Sequence, residues 1–116
     1  MGLAPKLGTH FTGVLEGVQR ELLVEVPVLH ALLTKTAAEG GLHVVSQIHH
    51  QFADPPGITF AMILSESHFA IHTWPEYGML TYDIFTCSGR AAAERTIALL
   101  IARIKPTNVR QQEFPV

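Results

Sequence analysis

Between positions 65 and 76 the sequence gathers two serines, two glutamates, two histidines and a threonine: Ser65-Glu66-Ser67-His68-Phe69-Ala70-Ile71-His72-Thr73-Trp74-Pro75-Glu76. The stretch follows an apolar run, Ile58 to Leu64, that reads as a buried strand. Polar groups cost free energy when buried without partners, so such a concentration beside a core strand calls for chemistry or for a hydrogen-bonded strand end. A serine hydroxyl such as that of Ser67 is a weak nucleophile unless a basic neighbour or a strained peptide activates it. Imidazole, as in His72, is the side chain whose pKa lies nearest neutral pH and so is suited to a base. The thiol of Cys87, with an ordinary pKa of about 8.5, can give up a proton at neutral pH. A carboxylate such as Glu76 can accept two hydroxyl bonds at once, which suits a diol. Each residue also has a plain structural reading: a strand-end hydroxyl, a hydrogen-bonded histidine, a small buried hydrophobe, an exposed turn residue.

The elements that must position these groups follow from periodicity. Thr9 to Leu15 reads as a strand, weakened by Gly13. Pro27 suits the first turn of a helix running to about Glu39, with Val28, Leu29, Leu32, Leu33 and Thr36 on one face and Gly40-Gly41 as the stop. Leu42 to Ile48 alternates as a strand, and Asp54-Pro55-Pro56-Gly57 is a turn by its residue types. Ile58 to Leu64, His68 to Thr73 and Met79 to Thr86 are further strands, and Ser88-Gly89 breaks the chain after them. A helix from about Arg90 to Ile104 carries the apolar stripe Ala93, Ile97, Leu100, Ile101 and Ile104, with Arg95 and Arg103 off it. Asn108 to Phe114 adds an edge strand. Strand groups separated by single helices predict an α+β two-layer sandwich, a mainly antiparallel sheet with two helices on one face. The other face then needs a cover, and a second copy of the chain, a homodimer, is the economical one.

Strict alternation puts Ser67 and His72, five apart, on opposite faces of a strand. A bulge or kink near Glu66-Ser67 is therefore expected, which would also strain the peptide bond there. By the same alternation Thr59 shares a face with Ala61, Ile63, Ser65 and Ser67.

The 116 residues make one domain, able to bury roughly 65% of its unfolded surface without staples. Eight basic against ten acidic residues give a net charge of −2, with no polybasic patch to attract nucleic acid. No apolar run approaches the ~20 residues of a membrane span, and residues 1–7 read as a loose lead-in. A single cysteine excludes an internal disulfide and fits a reducing cytoplasm. Seven histidines raise the possibility of a metal-binding module, but there is no cysteine pair and no His-Glu-x-x-His helix. His49 and His50 point oppositely on a strand, and His68 and His72 lie too far apart on one to chelate easily. No metal is expected.

The order of the residues carries more than their types. Glu66-Ser67-His68, three residues, then His72-Thr73-Trp74-Pro75-Glu76 resembles the processing site of the bacterial and archaeal S-adenosylmethionine decarboxylases. Tyr82-Asp83-Ile84-Phe85-Thr86-Cys87 resembles a second block of that family, and Leu7-Gly8-Thr9-His10 its N-terminal opening. The resemblance implies a dimer of self-processed protomers. Ser67 would attack the carbonyl before it, converting the peptide bond to an ester; elimination and hydrolysis would then leave a pyruvoyl group at position 67. The chain would be cut between Glu66 and Ser67 into 1–66 and 67–116. By position, His72 would remove the serine α-proton, Thr59 would steady the tetrahedral intermediate, Cys87 would donate a proton to the product and Glu76 would hold the ribose. The pyruvoyl carbonyl would form a Schiff base with the substrate amine and take up the electrons released with carbon dioxide. The product would feed spermidine synthesis.

The match also departs from the family. The adenine-stacking aromatic is expected six positions before Thr59, which is Ala53; a one-residue insertion would give the role to Phe52. Otherwise Asp54 faces the substrate, and the same machinery would act on L-arginine or L-ornithine through their distal cation. Gly57-Ile58-Thr59-Phe60 puts a bulky Phe60 near the cleavage strand, and Ser88 follows Cys87 where the family has glycine. A non-catalytic relative is a further alternative; its signature, loss of Ser67, His72 or Cys87, is not present.

Overall fold

Burial alternates residue by residue along β1 (Thr9–Glu16) and β5 (Met79–Thr86), as expected of strands with one face in a core. The structure, a computed structural model, describes residues 7–87 and 89–116. The lead-in before Leu7 and Ser88, the departure beside Cys87, lie outside the described residues. The remaining elements are α1 (Arg20–Val24), α2 (Val26–Gly40), β2 (Val44–Ala53), β3 (Pro56–Leu64), β4 (His68–Trp74), α3 (Arg90–Ile104) and β6 (Asn108–Pro115). The six strands form one antiparallel sheet in the order β2-β3-β4-β5-β1-β6. The helices cover one face, giving the expected α+β two-layer sandwich.

The core lies between those layers. Ile58, Phe60, Met62, Phe69, Ile71, Leu80 and Ile84 point from the sheet toward Leu29, Leu33, Ala37, Ala93, Ile97 and Leu100 on the helices. The helices approach each other at Gly40, where an added Cβ would fall 1.9 Å from Thr96 Oγ1. Arg95 donates to the Gly40 carbonyl and Arg103 to the Thr36 hydroxyl, which ties the ends of α2 to α3.

Among the described residues, the opposite face has no second layer. Ile48, Phe52, Ile63, Trp74 and Phe114 are large hydrophobic side chains left exposed there. The register explains why they fall together: Ile48 lies opposite Ala61, Ile63 opposite His68, Trp74 opposite Met79 and Phe114 opposite His10.

The structure corrects one local expectation, the end of β2, and adds detail to two others. The helix starts at Val26, with Pro27 in its first turn, and is preceded by the short helix α1, whose five residues are too few to show a helical period. β2 runs on to Ala53 rather than stopping near Ile48, because it pairs with β3 along its length. Phe60 lies on the strand that leads into Glu66-Ser67, as expected, and its side chain is buried toward the helices, with its ring edge-on to His30 and stacked on His49.

Candidate active site

β3 ends at Leu64 and β4 begins at His68, so Ser65, Glu66 and Ser67 form the tip of a hairpin. The turn is closed by the Leu64 N–H donating to the Ser67 carbonyl at 2.9 Å, and Ser65 N–H donates to His43. The bulge or kink expected near Glu66-Ser67 is a full turn. Ser65 and Ser67 leave the face that Thr59, Ala61 and Ile63 share, because alternation stops where the strand stops. The irregularity in pairing lies instead between Val44 and Ser46 on β2.

At that tip the Cys87 thiol donates to the Glu66 carbonyl oxygen at 2.6 Å. This oxygen belongs to the peptide bond that joins Glu66 to Ser67. Cys87 reaches it because β5 runs antiparallel beside β4 and ends next to the hairpin. A cavity of about 280 Å³ opens here, lined by Leu42, His43, Ser65, Glu66, Ser67 and Cys87 among others.

His72 lies elsewhere. It sits opposite Thr59 in the β3–β4 register, and the Thr59 hydroxyl and His72 Nδ1 share a hydrogen bond of 3.1 Å. Extended chain rises about 3.3 Å per residue, so His72 is displaced roughly 16 Å along the strand from Ser67 of its own chain. Around it is a second cavity of about 320 Å³, lined by Phe52, Pro55, Thr59, His72, Trp74 and Glu76 with their neighbours. That volume is within the range of small-molecule sites. Glu76 comes from the turn Pro75–Tyr77, and Phe52 from the end of β2. Asp54 is exposed and does not line this cavity.

The predicted residues thus fall into two groups, Glu66, Ser67 and Cys87 at the hairpin tip, and Thr59, His72, Glu76 and Phe52 on the open face. Within one chain the structure does not bring the two together.

Buried Thr73 is a further positioning residue. Its hydroxyl accepts from the Ile58 N–H at 2.8 Å and donates to the Leu23 carbonyl at 2.7 Å, holding the strand of His72 against β3 and α1. Nothing in its sequence position marks this, since Leu23 is 50 residues away. The sequence also leaves His10, His68 and Asp83 unremarked as a set, although they meet on the open face. Only the strand order makes them neighbours.

Comparison with known proteins bears on the whole chain. The S-adenosylmethionine decarboxylase family model matches residues 9–115. A protein of Archaeoglobus fulgidus named S-adenosylmethionine decarboxylase proenzyme is 35% identical over 104 residues, covering 90% of this chain and 92% of its own. A proenzyme of the same name from Picrophilus torridus is 37% identical over 103 residues, or 89% of this chain and 78% of its own. The crystal structure of the adenosylmethionine decarboxylase from Aquifex aeolicus superposes with a TM-score of 0.87 at 32% identity, over 96% of this chain and 91% of that one. Sequence and fold agree over nearly the full length, and the chain belongs to the S-adenosylmethionine decarboxylase family.

Proposed function

We propose that this chain is a self-processing, pyruvoyl-dependent decarboxylase of S-adenosylmethionine that works as a homodimer. The observation that carries the reading is the Cys87 thiol on the Glu66 carbonyl, the carbonyl of the peptide bond to Ser67. A donor on that oxygen draws electron density from the carbonyl carbon and stabilises the negative charge that grows when Ser67 Oγ attacks it. The peptide nitrogen leaves, and Glu66 is then held by an ester to the Ser67 side chain. Loss of the serine α-proton expels the Glu66 carboxylate, and hydrolysis releases ammonia. The two products are 1–66 and 67–116, the second beginning with a pyruvoyl group. The residues present fit such a group, with a thiol donor and an open cavity at position 67. When formed, it supplies a carbonyl sink for the electron pair freed as carbon dioxide departs. Cys87 is then the proton donor at hand.

The α-proton needs a base, and His72 of the same chain is roughly 16 Å too far along the strand. A partner chain laid on the open face supplies the economical solution. Its own Thr59–His72 pair would approach the hairpin tip, and the exposed Ile48, Ile63 and Trp74 would be covered. Thr59 keeps the imidazole oriented through its bond to Nδ1, leaving Nε2 for the proton.

The aromatic walls of the second cavity favour the nucleoside substrate. Phe52 and Trp74 offer flat apolar surface for adenine, and the Glu76 carboxylate offers two acceptors for the ribose hydroxyls. Asp54, which a basic amino acid would need, does not line the cavity. The product is decarboxylated S-adenosylmethionine, an aminopropyl donor for spermidine synthesis. Release of carbon dioxide from S-adenosylmethionine, L-arginine and L-ornithine measured in parallel tests this choice. Turnover of S-adenosylmethionine alone is expected, and turnover of arginine or ornithine alone overturns it.

A further inference from the structure

β4, β5 and β1 are consecutive in the sheet, and on its open face they present one histidine, one aspartate and one histidine. The register is specific. Phe85 on the central strand lies opposite His68 on one side and His10 on the other, and Asp83 is two residues along on the same face. His10 Nε2 is hydrogen-bonded to Asp83 Oδ1, and His68 Nε2 stands 3.9 Å from the same oxygen. The nitrogen and oxygen atoms that could act as ligands all lie within 4.8 Å of one another. Phe85 forms a wall for both rings, edge-on to His10 and stacked with His68. The two imidazoles meet edge-to-face, with centroids 6.2 Å apart, so their Nε2 atoms converge while the rings do not collide.

The geometry points to a binding site for a zinc-type divalent transition-metal ion, held by His10 Nε2, His68 Nε2 and an Asp83 oxygen. Two neutral imidazoles and one carboxylate are a donor set that selects zinc, cobalt or nickel over the harder magnesium and calcium. Zinc bonds of 2.0–2.1 Å in a tetrahedron place the ligand atoms roughly 3.3 Å apart. Side-chain rotations that draw the three in by about 1.5 Å at most complete the shell. All three side chains are partly exposed in the single chain, which leaves room for a fourth ligand.

Resting on the processing reading above, the site has a structural consequence. His68 is the residue after Ser67, and His68 and Asp83 belong to the fragment 67–116, whereas His10 belongs to 1–66. A bound ion would clip the new N-terminus to the other fragment and hold position 67 in place once its backbone link is lost.

The test is calorimetric titration of the full-length, chelator-treated protein with zinc chloride and, separately, magnesium chloride. Visible absorption on cobalt addition reports nitrogen and oxygen ligation. The proposal expects one tight zinc equivalent per chain and no magnesium binding at the same concentrations. His10→Gln and Asp83→Asn, close in shape to the native side chains, should each weaken zinc about tenfold or more while circular dichroism is unchanged. No zinc binding, or wild-type affinity in both variants, overturns the site. A Ser67→Ala chain, which cannot process, should bind zinc as well as wild type. Zinc binding by a wild-type chain that remains uncut therefore refutes processing and keeps the site, whereas normal cutting without zinc binding does the reverse.

Discussion

Replacing Thr73 by valine exchanges a hydroxyl for a methyl at nearly constant shape, so its effect isolates two hydrogen bonds. The hydroxyl is buried, accepts from the Ile58 N–H and donates to the Leu23 carbonyl. Valine leaves both backbone groups without that partner in a largely buried site, at about 1–3 kcal/mol each; a central figure is about 3 kcal/mol in total after partial relaxation. A chain of 116 residues unfolds with an entropy near 0.24 kcal/mol per kelvin, estimated from about 2.1 cal/mol/K per residue. The thermal midpoint should therefore fall by about 12 °C. Thr73→Ser keeps the hydroxyl and loses one methyl, a loss of about 1 kcal/mol, or about 4 °C. Unfolding followed by circular dichroism checks both, at one protein concentration because association shifts the midpoint. The expected order is wild type, then serine, then valine. If apolar packing dominated at this position, valine would equal or exceed wild type and serine would be the weakest. That order refutes the reasoning.

Cys87→Ala should still be cut between Glu66 and Ser67, more slowly for want of the thiol on the Glu66 carbonyl, and kcat should fall about 100-fold or more; unchanged kcat in a decarboxylation assay removes the residue from its role. Ser67→Ala and His72→Ala chains, each inactive alone, should recover about a quarter of wild-type activity when co-expressed, the share expected if half the dimers are mixed and each has one complete site. No recovery in mixed dimers confirmed by mass spectrometry would place both residues in one chain's site. Burial pushes the Tyr82 phenol up to about 12, from an ordinary value of about 10. Its raised folded pKa means that stability present below pH 10 is lost as pH climbs toward 12, because unfolding then releases a proton. Tyr82→Phe should flatten the fall of the thermal midpoint across that window, and an unaltered slope would contradict the assignment.

Much of the fold was legible because its signals are local. β5 and α3 fall at the expected residues, since Met79–Thr86 alternates cleanly and Arg90–Ile104 has an apolar stripe closed by Lys105 and Pro106. The sheet face left exposed also followed from counting helices against sheet faces. α1 was missed because it is shorter than two helical turns. The site was legible as a set of residue types and not as an arrangement. The distortion expected near Glu66-Ser67 takes the form of a hairpin tip, which removes Ser67 from the strand altogether, so alternation does not govern how it sits relative to His72. Phe52 as the aromatic wall required knowing that β2 extends to Ala53. The His10–Asp83–His68 cluster depends on strand order, since β1 is inserted between β5 and β6, and no local pattern encodes that neighbour.

The central claim is that Ser67 gives up its amine and its link to Glu66 to make the reactive carbonyl. Mass spectrometry of the purified protein under denaturing conditions tests it most directly. Two fragments are expected, 1–66 at the mass of its sequence and 67–116 lighter than its sequence by one ammonia. An active protein that remains one intact chain, with an unmodified serine at position 67, contradicts the account.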